Sequence, residues 1–92
     1  MAADGYEWDP AKAAANFRKH GVRFSDAATA LGDPMCVTIA DPDTNGEPRW
    51  VSIGMDGHGR VIVTAFTQRG GAVRVISSRR ATAFERRRYQ ER

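Results

Sequence analysis

The chain has one cysteine, Cys36, and two histidines, His20 and His58. A single thiol builds no disulfide framework, and no Cys/His/Asp/Glu set stands at metal-ligand spacing. A stapled secreted scaffold and a zinc module are therefore excluded, and the expectation is no metal and no cofactor. Cys36 follows Met35 in an apolar stretch and reads as a small buried hydrophobe. No apolar run approaches the ~20 residues of a membrane-spanning helix. No secretory signal is visible, so the expected setting is cytoplasmic, without membrane contact. Neither repeats nor a linker divide the 92 residues, which make one domain, with residues 1–5 as a loose tail.

Lysine is missing from the second half. Residues 1–46 carry seven acids against four Lys or Arg, a net of −3, whereas residues 47–92 carry four acids against ten arginines, a net of +6. The formal charge of +3 hides this asymmetry. Arginine grips planar anions through two parallel hydrogen bonds, so an all-arginine basic half suits phosphate, or else an acidic protein partner. A hydrophobic share of 41% and a charged share of 27% place the chain among folded globular domains.

The pattern along the chain predicts an α+β domain. Tyr6 and Trp8 flank Glu7 as a short strand, and Asp9-Pro10 supplies an N-cap and first helical position. The helix then runs to Lys19 or His20, with Ala13, Ala14 and Phe17 as its apolar stripe. Lys12, Asn16 and His20 form a polar stripe on another side, and Gly21 closes the helix. Ser25 is the expected cap of a second helix, with Ala27, Ala28 and Leu31 facing inward. Period-two alternation then marks strands around Val37, around Val51–Met55, over Val61–Thr67 and from Val73 onward. Residues 41–48 read as an exposed loop, and Asp56-Gly57-His58-Gly59 as a hairpin turn. Thr82 followed by Glu85 is a capping box for a last short helix. The expected architecture is an antiparallel sheet of four to five strands, two N-terminal helices packed on it and a short C-terminal helix.

Two blocks, EWDPAKAAANFRKHGVRF (residues 7–24) and RVISSRRATAFERRRY (residues 74–89), with Asp33-Pro34, Glu47-x-Arg49 and Gly54 between them, resemble the BrnT family, the toxins of BrnT–BrnA type II toxin–antitoxin systems. The likeness runs from Tyr6 to Tyr89. It implies a RelE-like fold, ribonuclease activity that arrests translation, and neutralisation by a ribbon-helix-helix antitoxin. Toxin and antitoxin would form a hetero-oligomer that contacts DNA through the antitoxin. Ser78 stands where alanine is common in such proteins.

Metal-free RNA cleavage needs a base for the 2′-hydroxyl, cations for the crowded phosphorane and an acid for the leaving oxygen. Arg49, Arg74 and Arg79 are the candidate clamps, with Arg74 placed on the same face as Ile76 and Ser78. Arg80 and Lys19 are candidate RNA contacts. Taken singly, each of these cations is as well explained as surface charge or as an ion-pair partner of the acidic first half. His20, at a helix end, is a candidate acid or base, or simply a cap for its own helix. Glu47 is a candidate general base, or a partner for Arg49. Tyr89 would stack on a base, or pack the last helix on the sheet. The competing function is a non-catalytic basic interaction or nucleic-acid-binding module.

Overall fold

The computed structural model describes residues 2–3, 5–42 and 46–91. Its elements are β1 (Ala2–Ala3), β2 (Tyr6–Glu7), α1 (Pro10–His20), α2 (Phe24–Leu31), β3 (Val37–Ala40), β4 (Trp50–Met55), β5 (Val61–Arg69), β6 (Ala72–Arg80) and α3 (Ala83–Gln90). They form one six-stranded sheet in the order β1-β2-β6-β5-β4-β3. The tip of the expected 41–48 loop, residues 43–45, lies outside the described residues, as do Met1 and Asp4 of the expected tail. Ala2 and Ala3 do not trail loosely: they pair with Glu7 and Tyr6.

The strands from β3 to β6 are antiparallel neighbours joined by the predicted turns. The sheet as a whole is not antiparallel, because β2 runs parallel to β6 (Tyr6 opposite Val73, Glu7 opposite Arg74). That correction follows from connectivity: two helices and three strands intervene, and such a crossover can bring a strand in parallel where a hairpin cannot.

Helix α1 starts and stops where its sequence demands. The Asp9 carboxylate accepts from Ala11 N at 2.8 Å, and Gly21 takes φ 69°, a left-handed turn that favours glycine. Its buried face differs from the expected one. Phe17 is 41% exposed and Ala14 is exposed, while Asn16 is buried. The Asn16 amide donates to Val22 O (3.0 Å) and Ser78 O (2.8 Å) and accepts from Ser78 N (3.1 Å). A polar residue thus occupies the core-facing row because the edge of β6 offers it both a donor and an acceptor. Helix α2 begins two residues earlier than expected, at Phe24, with Arg23 rather than Ser25 as N-cap and no capping side chain. It lies directly on Gly54 of β4, where a Cβ would come within 2.5 Å of Ala30 O.

Trp8, Val22, Phe24, Ala27, Ala30, Ile62 and Val75 form the core between these two helices and one face of the sheet. Across the strands, Ser52, Thr64 and Ser78 sit in register on that face and are all buried. The Thr64 and Ser78 hydroxyls bond at 3.0 Å. The other face carries Val37, Ile39, Val51, Ile53, Val63 and Ala65 and is bordered by α3 and, at one side, by the end of α1. The predicted capping box of α3 is formed in both directions. Asp33 fixes neighbouring segments by accepting from Met35 N, Met55 N and the Tyr89 hydroxyl.

One irregularity decides which face the arginines use. Phe66 pairs with Val75 but Ala65 pairs with Ser77, so Ile76 is an extra residue in β6, a β-bulge. In a regular strand, positions 74 and 79 would point to opposite faces. The bulge restores the phase, and Arg74 (opposite Thr67), Ser77 (opposite Ala65) and Arg79 (opposite Val63) share the open face. The expectation that Arg74 shares a face with Ser78 is corrected for that reason.

Candidate functional site

Where β2 stops covering the edge of β6, the Asn16 side chain takes over that edge, and His20 lies one helical turn further along α1. The end of α1 is thereby pinned beside the last residues of β6. Lys19 and His20 from the helix, Ser77, Ser78 and Arg79 from β6, and Val51, Val63 and Ala65 from the sheet floor line one concavity of about 400 Å³. Its rim is cationic and its floor apolar, which is suited to a phosphate lying beside a base.

Arg79 is held there by Glu85 of α3 through two bonds, Nη1 to Oε1 at 2.7 Å and Nη2 to Oε2 at 2.9 Å. Glu85 also accepts from Thr82 N at 2.9 Å. The Arg79 bond, aided by the Thr82 backbone, holds the Glu85 carboxyl down to about 2, against the opposing effect of burial. The same pair raises the Arg79 guanidinium further. The side chain of Arg79 remains 43% exposed, so part of the guanidinium still faces outward.

The other expected site residues fall into three groups. Arg49, Arg74 and Glu47 stand near one end of the open face, beyond the residues that line the concavity. There Glu47 meets Arg69 at 3.1 Å, and the Thr67 hydroxyl lies 3.2 Å from its Oε1. Arg69 foremost, against some desolvation, keeps Glu47 below its ordinary value. Its close ion-pair partner is Arg69 rather than Arg49. Arg74 pairs with Glu7 at 3.6 Å, as a partner of the acidic first half. Arg80 stands opposite Ile62 and so belongs to the helix-covered face, apart from Arg79. Tyr89 is 7% exposed with its hydroxyl given to Asp33, so it packs α3 and offers no face for a base; the stacking role is corrected accordingly.

His58 lies in the β4–β5 turn, 3.2 Å from Asp26, away from the concavity. Arg60 there joins Asp26 (3.2 Å) and Asp56 (2.9 Å), with a bond to Gly21 O. Burial opposes the Asp56 charge, but the backbone N–H groups of Arg60 and His58 and the Arg60 guanidinium outweigh it and lower its pKa. This network secures the turn to the helices. A wider groove of about 510 Å³ runs between α1 and α2, walled by Trp8, Ala13, Ala14, Phe17 and Phe24 with Arg18, Arg23 and Ser25, and no His, Cys, Asp or Glu lines it. Among the described residues no group of three or more His, Cys, Asp or Glu could hold a metal, and no helix is long and apolar enough to cross a membrane.

Sequence reasoning missed Asn16 as the clamp of the site, because a polar residue in a polar-looking row gives no sign of burial. It also read Glu85 as a cap alone. The pairing of Glu85 with Arg79 adds a second task for the same carboxylate, and the six-residue spacing across a strand end was the available signal.

The fold and this basic concavity define a small α+β domain with a cationic site on an open sheet face. The sequence model of the family described as ribonuclease toxin, BrnT, of type II toxin–antitoxin system matches residues 8–85. The chain belongs to that family of ribonuclease toxins. It is similar to the 1.1 Å crystal structure of the Brucella abortus ribonuclease toxin BrnT, with 29% identity and a TM-score of 0.60 over 82% of this chain and 92% of that one. No curated protein sequence matches it.

Proposed function

We propose that RNA is cut in the concavity lined by Lys19, His20, Ser77 and Arg79, by metal-free transesterification. Arg79 and Lys19 would flank the scissile phosphate and offset the charge that grows on its non-bridging oxygens. The 2′-hydroxyl would give its proton to His20 or to water and attack the adjacent phosphorus, and the other of the two would protonate the departing O5′. The P–O5′ bond would break, leaving a 2′,3′-cyclic phosphate and a 5′-hydroxyl. His20 would transfer a proton in one of the two half-steps. Arg49 and Arg74, further along the same face, would track the neighbouring phosphates. Cleavage of this kind would arrest translation in the cytoplasm of the host. We place the domain with the RelE-like folds and its partner with the ribbon-helix-helix antitoxins, the two assembling as a hetero-oligomer that reaches DNA through the antitoxin.

The observation that carries this reading is the gathering of the α1 terminus and the end of β6, far apart in the chain, around one cavity. The test is purified, antitoxin-free protein incubated with RNA in excess EDTA. RNA should shorten, and His20→Ala and Arg79→Ala should each slow cleavage by about 100-fold or more. Full activity in His20→Ala, or cleavage that stops in EDTA and returns with magnesium, refutes the scheme. Retained RNA length with a steep salt-dependent affinity points to the non-catalytic binding module.

A further inference from the structure

Beside the basic concavity lies a second depression of different character. Ile39 and Ile53 of the outer strands, Val51 and Val63 of the floor, and Phe84 of α3 with the charged Glu85 and Arg88 enclose a groove of about 200 Å³. Its walls are mainly apolar, and its flanks stand in water: Phe84 is 62% exposed and Ile39 58%. The strand β3, which carries Ile39, is the outermost of the sheet and pairs on one side only. Large apolar side chains clustered on one face at this exposure mark a surface that another chain covers.

Several features bear on the occupant. Ile39, Ile53 and Phe84 offer an RNA phosphate no donor, so substrate alone does not explain why they stand exposed together. Arg88 of α3 lines it, a cation that would repel a second copy presenting the same helix and would attract a carboxylate. The family is defined by a toxin with an antitoxin, so one protein partner already accompanies this chain. Finally, Val51 and Val63 belong to both the groove and the basic concavity, so a segment seated in the first must border the second.

We infer that this groove docks the cognate antitoxin, through an amphipathic segment whose apolar side chains fill the space between β3–β4 and α3 and whose carboxylate meets Arg88. Continued across the shared floor, the segment covers Lys19, His20 and Arg79 and shuts out RNA. The occlusion rests on the cleavage site proposed above, whereas the docking does not.

The test uses the full chain and its purified cognate antitoxin. Ile39→Asp and Phe84→Asp place a charge in the groove without touching the residues assigned to cleavage, and both positions are exposed enough to keep the fold. Each should weaken antitoxin binding by roughly 30-fold or more, as expected for losing a buried anchor, and should leave the isolated toxin cleaving RNA while the antitoxin no longer silences it. Unchanged affinity in both variants overturns the docking. So does loss of self-association alone, which would assign the groove to a second copy, or loss of RNA cleavage with antitoxin affinity intact, which would assign it to substrate. If wild-type protein cuts no RNA, the binding measurements still decide the docking, and only the occlusion falls with the cleavage reading. Thermal melts identify a variant that fails to fold, and the other then carries the test.

Discussion

Replacing Asn16 by alanine removes three hydrogen bonds at once and leaves Val22 O, Ser78 O and Ser78 N facing a gap. A buried polar group left without a partner costs about 1–3 kcal/mol. Water entering the gap recovers part of that, so we expect a net loss of about 3–4 kcal/mol. A domain of 92 residues is stable by only roughly 5–14 kcal/mol. The loss is therefore a large fraction of the whole, and a urea melt should shift its midpoint down by about 2 M. Asn16→Asp sharpens the test. It keeps the size but turns carboxylate oxygen toward two carbonyls, so it should be at least as damaging at neutral pH and partly relieved when acid protonates it. Because the same side chain pins α1 next to His20, cleavage should fall even under conditions where the variant stays folded. A loss under about 1 kcal/mol in Asn16→Ala would refute the reasoning, since that is the worth of a single ordinary hydrogen bond.

Gly54→Ala should cost about 1–3 kcal/mol, read as a lower melting temperature, because its Cβ would press on the backbone of α2 at Ala30; a neutral result would mean that α2 is not seated on β4. Glu85 has a depressed pKa in the folded state, so its contribution is present above the unfolded value of 4.5 and is lost as pH falls toward about 2. The melting temperature should drop across that window, and Glu85→Gln should flatten this part of the profile. The same substitution releases the charge of Arg79, so binding to an uncleavable 2′-deoxy substrate should tighten and its log–log salt slope should steepen by about 0.7. An unchanged slope places Arg79 outside the RNA contact.

Helix ends were legible because their signals are local: Asp9, Gly21 and the Thr82–Glu85 box each act within one turn of chain. Strand alternation was equally legible and marked β3 to β6. What the sequence withheld were the choices that tertiary partners make. Both the Phe17 row and the Asn16 row of α1 have helical spacing, and only the free edge of β6 makes the polar one the better row to bury. Likewise Glu7, Glu47 and Glu85 are ordinary acids in the text, and each becomes the fixed partner of an arginine, Arg74, Arg69 and Arg79 respectively. The parallel pairing of β2 was hidden too, since two residues carry no periodicity from which a direction can be read.

The arginine-rich half suggested cations gathered at one place, yet counting them could not say on which side of the sheet. Five positions separate Arg74 from Arg79, an odd step that a regular strand divides between two faces. Ile76 makes the step effectively even by standing outside the β5 pairing. Arg80, one residue later with no second bulge to carry it over, goes to the other face despite identical chemistry. Which arginines can act together is therefore set by backbone phase, and their abundance in the sequence supplies only the candidates.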